Sequence, residues 1–112
     1  MATVAKDAQA VRVAKALGDP MRFRILREIA SRPETSCSEL VDRFTIGQPT
    51  VSHHLMVLAK AGLVAVRKEK GFHWYRLQGD VLAEHLRLLG GLSGDPAPRG
   101  RAKPMARRDR RP

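Results

Sequence analysis

The apolar residues of this chain change their spacing at Gly62, and that change limits the fold more than any other feature of the sequence. Before it they recur every three or four residues, the spacing of one helix face. After it, two short runs take on strand character. Val4, Ala8, Val11, Ala14 and Leu17 mark an amphipathic helix over residues 4–17 that ends at Gly18. Asp19-Pro20 starts a second, with Asp as N-cap and Pro at the first helical position, where its missing N–H costs nothing. Its inward stripe is Met21, Ile25, Leu26 and Ile29, and it stops before Pro33. Ser36-Cys37-Ser38-Glu39 has the form of a capping box, and the short helix that follows buries Leu40, Val41 and Phe44.

Thr45-Ile46-Gly47 reads as a turn, and residues 48–61 as the next helix, with Pro49 tolerated in its first turn. Val51, Leu55 and Leu58 line its inner face; Gln48, Ser52, His53 and Met56 look outward, with Thr50 at the flank. Gly62 closes it at the C′ position. Residues 64–69 and 73–77 then form one hairpin around a basic Lys70-Gly71 tip. After Gly79-Asp80 a last helix carries Val81, Leu82, His85, Leu86 and Leu89. The predicted class is mainly α with a small β-hairpin: five helices plus a two-stranded wing, folded over residues 1–89. Residues 90–112, rich in Gly, Pro and Arg, are expected to be a disordered basic tail.

Composition bounds the partners. At 112 residues the chain is the size of one domain, and its core must be aliphatic, with only three Phe, one Trp and one Tyr. A two-fold partner would add buried surface that so small a domain lacks alone. The net charge is +10, from 21 Lys and Arg against 11 Asp and Glu. Half of that excess lies in residues 95–112, so the folded part is basic as well. A polyanion is the natural partner, nucleic acid before an anionic membrane surface. The single Cys37 cannot make an internal disulfide, which suits a reducing cytoplasm. Lys6, Asp7, Arg12 and Lys15 interrupt any signal-like apolar run, and Lys60 and Gly62 break the longest one, so a cytoplasmic chain without membrane insertion is expected.

Short helix, turn, second helix and basic hairpin are the layout of a winged helix-turn-helix. The first two turns of a helix in the major groove present side chains to base edges. Gln48, Thr50, Ser52 and His53 are hydrogen-bonding side chains at that end, suited to reading double-stranded DNA. Arg67, Lys68 and Lys70 at the hairpin tip suit phosphates along the neighbouring minor groove.

Over roughly residues 10–89 the chain resembles the ArsR/SmtB family of bacterial winged-helix repressors. The resemblance rests on Ala16 to Leu26, on Gln48 to Leu55 with Leu58, on Ala61-Gly62-Leu63-Val64, and on a wing ending Tyr75-Arg76-Leu77. It implies a homodimer built on the first and last helices, bound to an inverted-repeat operator and repressing transcription until an inducer intervenes. By position it assigns groove reading to Gln48, Thr50, Ser52 and His53, and wing contacts to Arg67, Lys68 and Lys70.

Two metal sites known in the family find no match. A Cys-x-Cys pair would fall on Ser36-Cys37-Ser38, where serine hydroxyls, poor ligands for soft metals, flank the one thiol. A site on the last helix would need more than Asp80 and His85, since metal sites normally take three or four ligands. No metal and no cofactor are expected, and His85 is read as a partly buried dimer-interface residue. The trigger is then a small molecule, redox change at Cys37, a metal at an atypical site, a partner protein, or none. His54 lies nearer the core than His53 and is expected to make a structural hydrogen bond. His73 reads as a solvated or packed strand residue, and Trp74 and Tyr75 as sheet packing. Arg22, Arg24 and Arg27 read as a solvated face that also suits phosphate.

An enzyme is not expected. Ser52, His53 and His54 are neighbours on a helix, about 100° apart in direction, and form no aligned relay. The competing class is a nonspecific nucleoid-type protein acting through its basic tail; the polar rather than purely basic face of Gln48–His53 argues against it.

Overall fold

Aliphatic side chains at helical spacing build the core. Ile25, Ile29, Leu40, Leu55, Leu58, Leu63, Val13 and Val51 are fully buried, each worth roughly 1.5–3 kcal/mol of transfer free energy. The fold, a computed structural model, describes residues 2–94, with side chains from Ala5 onward; the expected basic tail beyond residue 94 lies outside the described residues. The order of elements is α1 (Ala2–Leu17), α2 (Pro20–Ala30), β1 (Thr35–Ser36), α3 (Cys37–Phe44), α4 (Gln48–Lys60), β2 (Val64–Glu69), β3 (Phe72–Leu77) and α5 (Gly79–Leu92). The chain divides into two compact units after Val81.

Three features depart from expectation. The hairpin is part of a three-stranded antiparallel sheet in the order β1-β3-β2, in which Thr35 faces Tyr75 and Ser36 faces Trp74. A two-residue strand is too short to show a period, and Ser36 doubles as the N-cap of α3, so only the capping signal was legible. In α1 the buried residues are Val13 and Ala16, whereas Ala8, Val11 and Ala14 of the expected stripe are exposed. Alanines at 5, 8, 10, 14 and 16 sit all round this helix, so its own pattern has little sidedness. α5 also continues past Leu89 through Gly90 and Gly91.

Arg22 locks the start of the fold. The Asp19 carboxylate caps α2 by accepting from the Arg22 amide at 2.8 Å. The Arg22 side chain turns back, its Nε and Nη2 donating to the carbonyls of Ala16 (2.8 Å) and Lys15 (3.3 Å) at the end of α1. Carbonyls in the last turn of a helix lack a full set of helical partners, and a cation there also complements the helix dipole. Nη1 meets Nδ1 of the buried His54 on α4 at 3.2 Å. A guanidinium only donates, so that nitrogen must be the acceptor and the ring neutral. His54 therefore makes the structural hydrogen bond its inward position implied.

Burial, the largest cause, and the nearby Arg22 charge push the His54 pKa below the ordinary imidazole value, against the opposite pull of Asp19. The unfolded chain thus binds a proton that the folded chain refuses. Its contribution to stability is complete above about pH 6.5 and is lost as pH falls from there through the depressed folded value. Urea midpoints at about pH 7.5 and about pH 5.5 should show this fall, and His54→Asn should flatten it. An equal fall in the variant would place the effect on another group.

Candidate nucleic-acid interface

α3 is held at both ends. Ser36 Oγ accepts from the Glu39 amide (3.2 Å), and Glu39 Oε1 accepts from the Ser36 amide (3.1 Å) and from Thr35 Oγ1 (2.8 Å). These bonds hold the Glu39 carboxyl below its ordinary pKa, the Ser36 amide contributing most. At the far end Thr45 takes the left-handed conformation (φ 51°) and donates its amide to Val41 at 2.9 Å. Gly47, the residue a turn would be expected to need, has an ordinary φ of −66° and serves as the N-cap of α4.

That cap is without a side-chain acceptor, so the amide end of α4 is not closed by a neighbouring side chain. Val51, His54, Leu55 and Leu58 are buried, which fixes the rotation of the helix. Gln48, Thr50, Ser52, His53 and Met56 are consequently all exposed. The helix ends as Gly62 implied. With φ at 85°, Gly62 donates to Ala59 (3.0 Å) and Leu63 to Leu58 (3.0 Å), the paired bonds of a Schellman motif.

The wing follows with Glu69 opposite Phe72 and only Lys70 and Gly71 between them. Both have positive φ, 53° and 81°, as a type I′ turn requires. Lys68 and Lys70 are exposed, with Phe72 beside them 57% exposed at the tip. Gln48, the tip residues Gly71, Phe72 and His73, and Ser36, Cys37 and Ser38 at the start of α3 together line one hollow of about 230 Å³. Phe72 falls just outside the 73–77 strand expected from sequence, where only Trp74 and Tyr75 were read as sheet packing, and β3 takes it in at the turn.

Arg67 behaves differently from the two lysines. Its Nε and Nη2 donate to the two oxygens of Glu34 at 2.9 and 2.8 Å, and Nη1 donates to Glu69. These bonds raise its pKa further and lower that of Glu34. Its charge is matched by two carboxylates within the chain. Arg24 and Arg27 lie over the rings of Phe44 and Phe23, at 5.8 and 5.5 Å, and Arg22 points inward, so the three arginines of α2 form no single patch.

The sensing candidates are plain in structure. Cys37 is half-buried, and burial pushes its thiol pKa up, which opposes thiolate formation. His85 is buried at 7% exposure, and its Nδ1 has no hydrogen-bond partner among the described residues. Among the described residues no group of three or more His, Cys, Asp or Glu is placed to hold a metal ion. No described helix is long and apolar enough to cross a membrane.

A short capped helix, a tight turn, a second helix with a polar outer face, and a lysine-tipped hairpin together define a winged helix-turn-helix DNA-binding protein. Residues 17–67 match the family model of a helix-turn-helix domain. An HTH-type transcriptional regulator of Methanocaldococcus jannaschii is 37% identical over 87 residues, covering 78% of this chain and 98% of that one. The arsenical resistance operon repressor of Staphylococcus aureus is 35% identical over 77 residues, covering 69% and 73%. The chain belongs to the ArsR/SmtB family of helix-turn-helix transcriptional regulators. An ArsR-like transcriptional regulator from Rhodococcus sp. RHA1 superposes with a TM-score of 0.74 at 29% identity, over 80% of this chain and 84% of that one.

Proposed function

We propose that the chain is a homodimeric repressor that reads an inverted-repeat operator in double-stranded DNA through the outer face of α4. The observation that carries this is the joint exposure of Gln48, Thr50, Ser52 and His53 on a helix whose rotation is fixed by four buried residues. In this proposal Lys68 and Lys70 neutralise phosphates beside the groove. Arg67, its charge already matched, holds the wing to Glu34 and contributes less to DNA than its two neighbours. Dimerisation is supported by apolar surface on both helices that the family resemblance points to. α1 exposes Val11, and α5 exposes Leu86, Leu89 and Leu92 at a spacing of three. The trigger for release lies outside the two familiar metal sites.

Competition between the chain's own upstream region and random DNA tests the proposal. Operator binding should be tighter by ~10³-fold or more, with a footprint of two half-sites. Equal affinities would leave the nonspecific nucleoid-type alternative.

The tail makes a separate prediction. Residues 95–112 hold seven basic and two acidic residues. Their removal should weaken binding to operator and random DNA by similar factors and flatten the salt dependence, as expected for lost phosphate neutralisation. A loss confined to one sequence would mean that the tail does more than attract phosphates.

A further inference from the structure

Arg12 and Lys15 of α1 and Lys60 of α4 ring a hollow of about 240 Å³ whose floor is Met56, Val57 and Ala61. Among the described residues none of these three cations takes part in a salt bridge, whereas Arg32, Arg43, Arg67 and Arg87 each meet a glutamate. The floor is apolar, with Ala61 buried and Met56 47% exposed.

Each half of this arrangement calls for a different part of one ligand. A bare phosphate would satisfy the cations and leave the floor wet. A neutral apolar molecule would cover the floor and leave the charges without a partner. We infer that the hollow is a binding site for a small amphipathic organic anion, its carboxylate held by Arg12, Lys15 and Lys60 and its acyl or aryl tail lying on Met56, Val57 and Ala61. Arginine offers a planar fork that matches a carboxylate, and a methionine floor adapts to different tails. The ligand would sit on α4 itself, the helix whose first two turns carry Ser52 and His53. On the DNA-reading proposal above, a carboxylate there cancels positive charge on the reading helix and weakens operator binding.

The experiment uses the full chain with ¹³C-labelled methionine methyl groups and follows Met56 without DNA present, so its outcome is independent of the DNA-reading proposal. Decanoate should shift the Met56 methyl saturably. In the Arg12→Gln/Lys60→Gln variant its affinity should fall roughly tenfold or more, the loss expected for charge-assisted contacts. Lys15→Gln should give a smaller loss. Decanol and inorganic phosphate should each bind at least about tenfold more weakly than decanoate. The inference is overturned if phosphate alone gives the same shift, which would make the hollow a phosphate-backbone surface. It is equally overturned if decanol binds as well as decanoate, or if the double variant binds decanoate unchanged. A change of oligomeric state in that variant would assign the hollow to a second copy of the chain instead.

Discussion

Alanine at both Ser52 and His53 should reduce the preference for operator over random DNA by roughly a hundredfold, taking about 1–3 kcal/mol of discrimination for each base-reading side chain removed. Neither side chain enters the core, and alanine favours the helix, so fold and assembly should be unchanged. On the proposed reading, binding to random DNA should change little, because Lys68 and Lys70 would still meet phosphates. The decisive comparison is footprinting of variant and parent on the upstream region, with light scattering to check assembly. Unchanged footprints would falsify the assignment of α4 as the reading helix. The paired change matters because either residue alone leaves the other to hold register.

Replacing Arg22 by alanine should have the largest effect on stability of any single charged residue described. The change removes donors to Ala16 and Lys15 and leaves Nδ1 of the buried His54 without its partner. Losing these charged-donor hydrogen bonds, of which those to Ala16 and His54 are part-buried, costs about 2–3 kcal/mol. Because α1, α2 and α4 meet at this side chain, the loss should appear as a lower urea midpoint with an unchanged slope. Arg22→Lys should recover little, since one ammonium cannot span three acceptors in the plane of a guanidinium. A midpoint within experimental error of the parent would mean that water replaces all three bonds.

The contrast between Arg22 and Ser52 shows where sequence reading succeeds and where it stops. Ser52 and His53 were legible as outward because Val51, Leu55 and Leu58 have strong helical spacing. Once those three are inward, the rest of the wheel follows. The Lys70-Gly71 tip and the Gly62 stop were legible because particular backbone conformations favour particular residues. Arg22 looked like a solvated face. Nothing in local spacing shows that an arginine will reach back to the preceding helix and across to His54, residues 32 positions apart. The pairing of Arg67 was hidden for the same reason: its partner Glu34 is 33 positions away.

By itself the sequence determined the number and order of the helices, the hairpin and its turn, and the outward face of α4, all of which depend on neighbours within a turn or two. Tertiary structure alone decided the rotation of the alanine-rich α1, the recruitment of Thr35 and Ser36 as a third strand, and which cations find a carboxylate within the chain. The physical reason is one of range. Periodicity and capping are local energies written in adjacent residues, whereas burial and charge pairing depend on which distant residues the fold brings together.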